Sequence, residues 1–72
     1  MSAQLEFYLE RAAEARAIAN GATLDNVRDR WLTSEASWTE MAVRREHADD
    51  MRVKLIAEKA TERAALNAAS QT

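Results

Sequence analysis

One glycine, Gly21, stands in a chain of 72 residues that has no proline. These two residue types most often end helices and make turns, so the chain has a single candidate break, and it falls unequally. Ser2 to Asn20 lies before it. After it, from Thr23 onward, no residue compels a stop. The expected architecture is one all-α domain over 1–72. A short helix covers about 3–20, a turn 21–23 and a much longer helix about 24–67, with 68–72 fraying.

The first segment reads as an amphipathic helix. Leu5, Tyr8, Leu9, Ala12, Ala15, Ala19 and Ala22 recur at spacings of three and four, which places them on one face. The run from Glu10 to Arg16 is rich in alanine, glutamate and arginine, the best helix formers. Ser2 is placed to cap the N-terminus. Asn20-Gly21 is expected to end the helix, with Gly21 at positive φ, where glycine meets no steric cost.

Thr23-Leu24-Asp25 is expected to start the second helix, with the threonine hydroxyl as cap and Asp25 at the positive end of the helix dipole. Ala22 and Val27 stand at hydrophobic-staple positions. A 3-4 repeat then runs through Leu24, Val27, Trp31, Ser34, Trp38 and Met41. It resumes at Ala48, Met51 and Leu55 after an interruption at Arg44-Arg45. Glu40/Arg44, Asp50/Lys54 and Lys54/Glu58 are opposite charges four apart, each pair worth about 0.2–0.5 kcal/mol on a helix. A rival break lies where Thr33, Ser34, Ser37 and Thr39 crowd together, and Ser37-Trp38-Thr39-Glu40 fits a capping box. The continuous helix is preferred because no glycine or proline forces an end there.

Folding at Gly21 brings the two faces together as an antiparallel helical hairpin. Its core seam is read as Leu5, Tyr8, Leu9, Ala12, Ala15, Leu24, Val27, Trp31 and Trp38. Trp31 is expected near Ala12 and Ala15, and Trp38 near Leu5, Tyr8 and Leu9, so that large side chains oppose small ones. The short helix reaches only to about Met41. The rest, with Val43, Met51, Val53, Leu55, Ile56 and Leu66, has no partner within the chain. A chain this small often needs a second subunit to complete its core. Two hairpins pairing into a four-helix bundle would supply it, so a homodimer is expected. The expected interaction surface is Met41, Arg44, Arg45, Ala48, Met51 and Leu55.

The chemistry-bearing residues are sparse. The chain has no cysteine, which excludes disulfides, thiol catalysis and cysteine zinc sites and fits a reducing cytosol. His47 is the only histidine; with Asp50 it shares a face, and two copies could supply four ligands. The Glu-x-x-His spacing of di-iron bundles is missing, because Arg44 stands three before it. The expectation is a solvated polar stretch with no metal and no cofactor. Trp31 and Trp38, seven apart, could stack bases, but a stacking groove is normally basic and Asp29, Glu35 and Glu40 lie nearby. Arg44-Arg45 could clamp a phosphate; surface pairing with Glu40 and Asp49 is the plainer reading. Asp49 and Asp50 are adjacent and point apart, and one glycine cannot build a phosphate loop. The chain reads as a non-enzyme with no catalytic residue.

No basic, apolar leader opens the sequence, and the apolar runs fall short of the ~20 residues of a membrane helix. The net charge of −2 argues against a nucleic-acid partner.

Phe7 to Arg16, then Ala22 to Arg30, then Glu35-Ala36-Ser37-Trp38 resemble short uncharacterised helical proteins of alphaproteobacteria. The likeness covers about residues 5–45. It implies a small bacterial cytosolic protein and carries no activity or functional residue.

The function expected from the residues is self-association and protein–protein contact, with homodimerisation and an unidentified protein partner. The competing class is a nucleic-acid-associated regulator using Arg44 to Arg63, where the charge leans basic. A steeply salt-dependent shift with DNA or RNA would mark it.

Overall fold

The computed structural model describes residues Ser2–Gln71. They form two helices and no strand: α1, Ala3–Gly21, and α2, Asp25–Ser70. Contacts between the helices pair the start of α1 with the middle of α2, Gln4 with Arg45, and its end with the first third of α2, Arg16 with Glu35. The helices are therefore antiparallel, as a hairpin. At ~1.5 Å per residue, the 46 residues of α2 account for the 73 Å long axis of the molecule. The radius of gyration is 20.7 Å, against roughly 11 Å for a compact chain of this length.

Ser2 caps α1: its hydroxyl oxygen accepts the Leu5 N–H at 3.1 Å. The other end differs from expectation. Gly21 is the last residue of α1 and has no positive φ. The helix ends because Ala22 turns extended, at φ −75° and ψ 134°, while its N–H still donates to the Ala19 carbonyl at 3.2 Å. Leu24 is also extended, at φ −99° and ψ 132°. The chain thus reverses through extended residues, a route open to any side chain, and needs no left-handed glycine.

Thr23 is not the cap of α2. The N-cap falls on Leu24, which has no side-chain acceptor to offer the first-turn amides. Asp25 does stand in that first turn, 2.9 Å from Arg28. The helix runs unbroken through the serine–threonine stretch, so the bend near Ser34 is absent. Thr33 turns its hydroxyl back onto the Asp29 carbonyl of the preceding turn, at 3.0 Å, which lets the residue stay inside a helix. The helix continues to Ser70, beyond the expected end at 67.

The buried residues are Leu5, Ala12, Ala15, Ala19 and Ala42. Four of the five are alanines, so the helices meet through their smallest side chains, which permits close approach. Tyr8, Val27, Trp31 and Trp38 from the expected seam are half-buried. Leu9 and Leu24 are not in it: they are 42% and 61% exposed. Leu9 lies around the helix from the Leu5–Ala12–Ala19 line, and Leu24 sits in the connection. On α2 the seam also takes Ala42, which the expected seam does not include, because the small side chain fits between the helices.

Coverage also extends past Met41. Gln4 donates to the Tyr8 hydroxyl at 2.8 Å and accepts from Arg45 at 3.2 Å, and Arg45 pairs with Asp49 at 3.1 Å. This chain of polar contacts closes the open end of the hairpin. Beyond it, every described residue of α2 from Asp50 onward is exposed.

Candidate interaction surface

The two flanks of the hairpin seam differ in chemistry. One flank is crossed by an ion pair between the helices, Arg16 to Glu35 at 3.3 Å. The other is an open groove. Phe7, Arg11, Ala15 and Ile18 of α1 and Trp31 and Trp38 of α2 line one part of it. Tyr8, Met41, Arg44, Arg45 and Ala48 line the next. Three aromatic rings cluster between the two parts. Phe7 meets Trp38 edge-on, with centroids 5.8 Å apart at 88°. Tyr8 lies 5.9 Å from Trp38 at a shallower tilt. Arg11 covers the outer face of Phe7 at 5.2 Å, a cation–π contact.

Helical periodicity carries this flank along α2. With 3.6 residues per turn, Met41, Ala48, Leu55 and Leu66 fall on the same side of the helix as the groove, and Met51 stands at the edge of that stripe. A further hollow on α2 lies between Ala48, Met51, Leu55 and Glu58. Met41, Met51, Leu55 and Leu66 are exposed, as are Phe7 and Ile18 across the groove. Contiguous apolar exposure of this kind marks contact surfaces on soluble proteins.

The six residues expected to form the interaction surface are placed as follows. Met41, Arg44, Ala48, Met51 and Leu55 are exposed along the groove side of α2. Arg45 is half-buried and turned toward α1. Its Nη atoms bond Gln4 and Asp49, while its Nε is buried with no partner. Arg45 thus takes part in the hairpin closure, seven and fourteen residues on from Trp38 and Trp31, and also lines the groove beside Met41 and Arg44. Arg44 pairs with Glu40 on the surface. Asp50/Lys54 and Lys54/Glu58 do not close as ion pairs. Phe7 and Ile18 are additions to the expected surface. The run Phe7-Tyr8-Leu9 gave a signal for an aromatic flank, but the face through Leu5 and Tyr8 leaves Phe7 off the seam.

His47 and Asp50 line a shallow exposed depression with Val43 and Glu46, on the side of α2 away from α1. Among the described residues no three His, Cys, Asp or Glu side chains come together as a metal site. None of their helices is both long and apolar enough to cross a membrane. In comparisons with family models, curated proteins and solved structures, the chain matches none.

Proposed function

We propose that this chain is a small non-enzymatic protein that works by self-association and protein–protein contact through the groove side of α2. The carrying observation is the half of α2 that nothing covers. From Asp50 to Ser70 every residue is exposed, including Met51, Val53, Leu55, Ile56 and Leu66.

Surface area gives the size of the deficit. The chain exposes 5836 Å², whereas a folded chain of 8.1 kDa exposes roughly 4,500 Å². The excess is about 1,300 Å² per chain, or about 2,600 Å² for a pair, within the range of obligate homodimer interfaces. A second copy is therefore sufficient to bring the protein to an ordinary folded surface. The bacterial cytosol is the setting that accompanies this reading, from the resemblance of the first half of the chain and the lack of cysteine.

Light scattering coupled to size exclusion tests it. The expected mass is about twice 8.1 kDa at micromolar concentration. Leu55→Glu, on the exposed stripe, is expected to return the protein to a helical monomer. A wild-type monomer at high concentration would overturn the reading.

A further inference from the structure

Resting on self-association, we infer that the second copy runs antiparallel along α2, with the two-fold axis beside Ala48. Each exposed half of α2 then lies on the groove flank of its partner's hairpin. Three observations lead there.

The first is length. Helix α1 has 19 residues, and its polar contact furthest along α2 is Gln4 with Arg45, which Asp49 braces from within α2. The uncovered part of α2, from Asp50 to Ser70, is 21 residues. At the same rise per residue, the uncovered half of one copy matches the groove of the other. Only an antiparallel pair lays the one along the other; a parallel pair leaves both uncovered halves facing each other.

The second is the stripe itself. Arg44, Glu58 and Glu62 share its side of α2 with Met41, Ala48 and Leu55. A parallel two-fold pairing sets each of these charges against its own copy, and like charges in direct opposition are costly. The antiparallel register centred on Ala48 removes each of these self-oppositions, although it sets Arg44 level with the partner's Arg52. Leu55 comes level with the partner's Met41, Glu58 with the partner's Trp38, and Glu62 with the partner's Ser34. Glu62 also comes within one helical turn of the partner's Arg30, a cation on the groove side that has no ion pair among the described residues.

The third is charge at larger scale. Residues 1–49 carry nine acidic and six basic side chains, net −3, while residues 50–72 carry three and four, net +1. Antiparallel pairing sets the basic half against the acidic hairpin at both ends. Parallel pairing sets like against like.

Cysteine cross-linking decides the arrangement, and the natural sequence has no cysteine to confuse it. Ala48→Cys, Met41→Cys and Leu55→Cys all replace exposed residues, and circular dichroism checks that each variant keeps its helix. With a short bismaleimide, Ala48→Cys is expected to link to itself. Met41→Cys and Leu55→Cys are expected to link strongly only when mixed. A dimer by light scattering in which Met41→Cys and Leu55→Cys each link efficiently to themselves, and not to one another, would overturn the antiparallel register while leaving self-association intact. A dimer that yields none of these links would place the interface elsewhere and overturn it too. A monomer by scattering would remove self-association and the register together.

Discussion

Trp38 stands edge-on to Phe7, the two ring centroids 5.8 Å apart and nearly perpendicular. This contact joins the helices on the groove side, where no ion pair among the described residues does. Because Trp38 is half-buried, Trp38→Ala is expected to cost about 2–3 kcal/mol, below the ~3–5 of a fully buried aromatic. A double-mutant cycle with Phe7→Ala is expected to give a coupling of about 0.5–1.5 kcal/mol. Chemical denaturation of the four species checks both values.

The tryptophans also report on assembly. Trp31 and Trp38 line the open groove, so acrylamide is expected to quench both in the dilute chain. Quenching is expected to fall as concentration rises and the groove is covered. Emission that is shielded at every dilution would mean the rings are buried within one hairpin.

Gly21→Ala is expected to raise the thermal midpoint with the hairpin kept. Gly21 is helical and without positive φ, and an added Cβ meets nothing within 4 Å. Alanine is favoured over glycine in a helix by up to ~1 kcal/mol, which is several degrees for a domain of this size. A fall in the midpoint would mean that Gly21 adopts the left-handed conformation in solution.

Leu24→Asp is expected to stabilise by about 1 kcal/mol by supplying the missing N-cap acceptor. Leu24 is largely exposed and has no cap hydrogen bond, so little packing is lost. Thr23→Ala is expected to change the midpoint little. If the two responses were exchanged, α2 would begin at Thr23. Thermal melts of both variants distinguish the cases.

Ala15→Leu is expected to destabilise by about 1–3 kcal/mol through overpacking. Ala15 is only 2% exposed where the helices meet, and a larger side chain must push them apart. Ala13→Leu, on the exposed side of α1, is expected to be nearly neutral. Melting curves for the pair provide the comparison.

The hairpin was legible because one glycine divides a strongly helical sequence, and Ser2 caps as its chemistry suggests. The details that escaped have local causes. Alanine carries too little hydrophobic contrast to mark a face, so Ala42 gives no seam signal in the sequence although it is buried between the helices. Spacing alone puts Leu9 on the seam, yet Leu5, Ala12 and Ala19 define a line that passes it by. Arg45 reads as an interruption until Gln4 and Asp49 are seen to bind its Nη atoms. The intrinsic preferences of Gly21 and Thr23 point to a left-handed stop and a cap, but extended residues at Ala22 and Leu24 make the reversal without either. The orientation of the groove belongs to the paired helices, and no one-dimensional pattern displays it.

The boundary at Asp49 divides α2 into two regimes of time. Before it, the helix's own amide hydrogen bonds are shielded by packing against α1 and exchange with solvent only when the hairpin opens. After it, in a free chain, they are held by local helix formation alone, which is marginal over this length. Amides from Asp50 to Ser70 would then exchange far faster than those near Ala12, Ala15 and Ala19. One continuous rod in shape is thus two objects in dynamics, and association joins them into one.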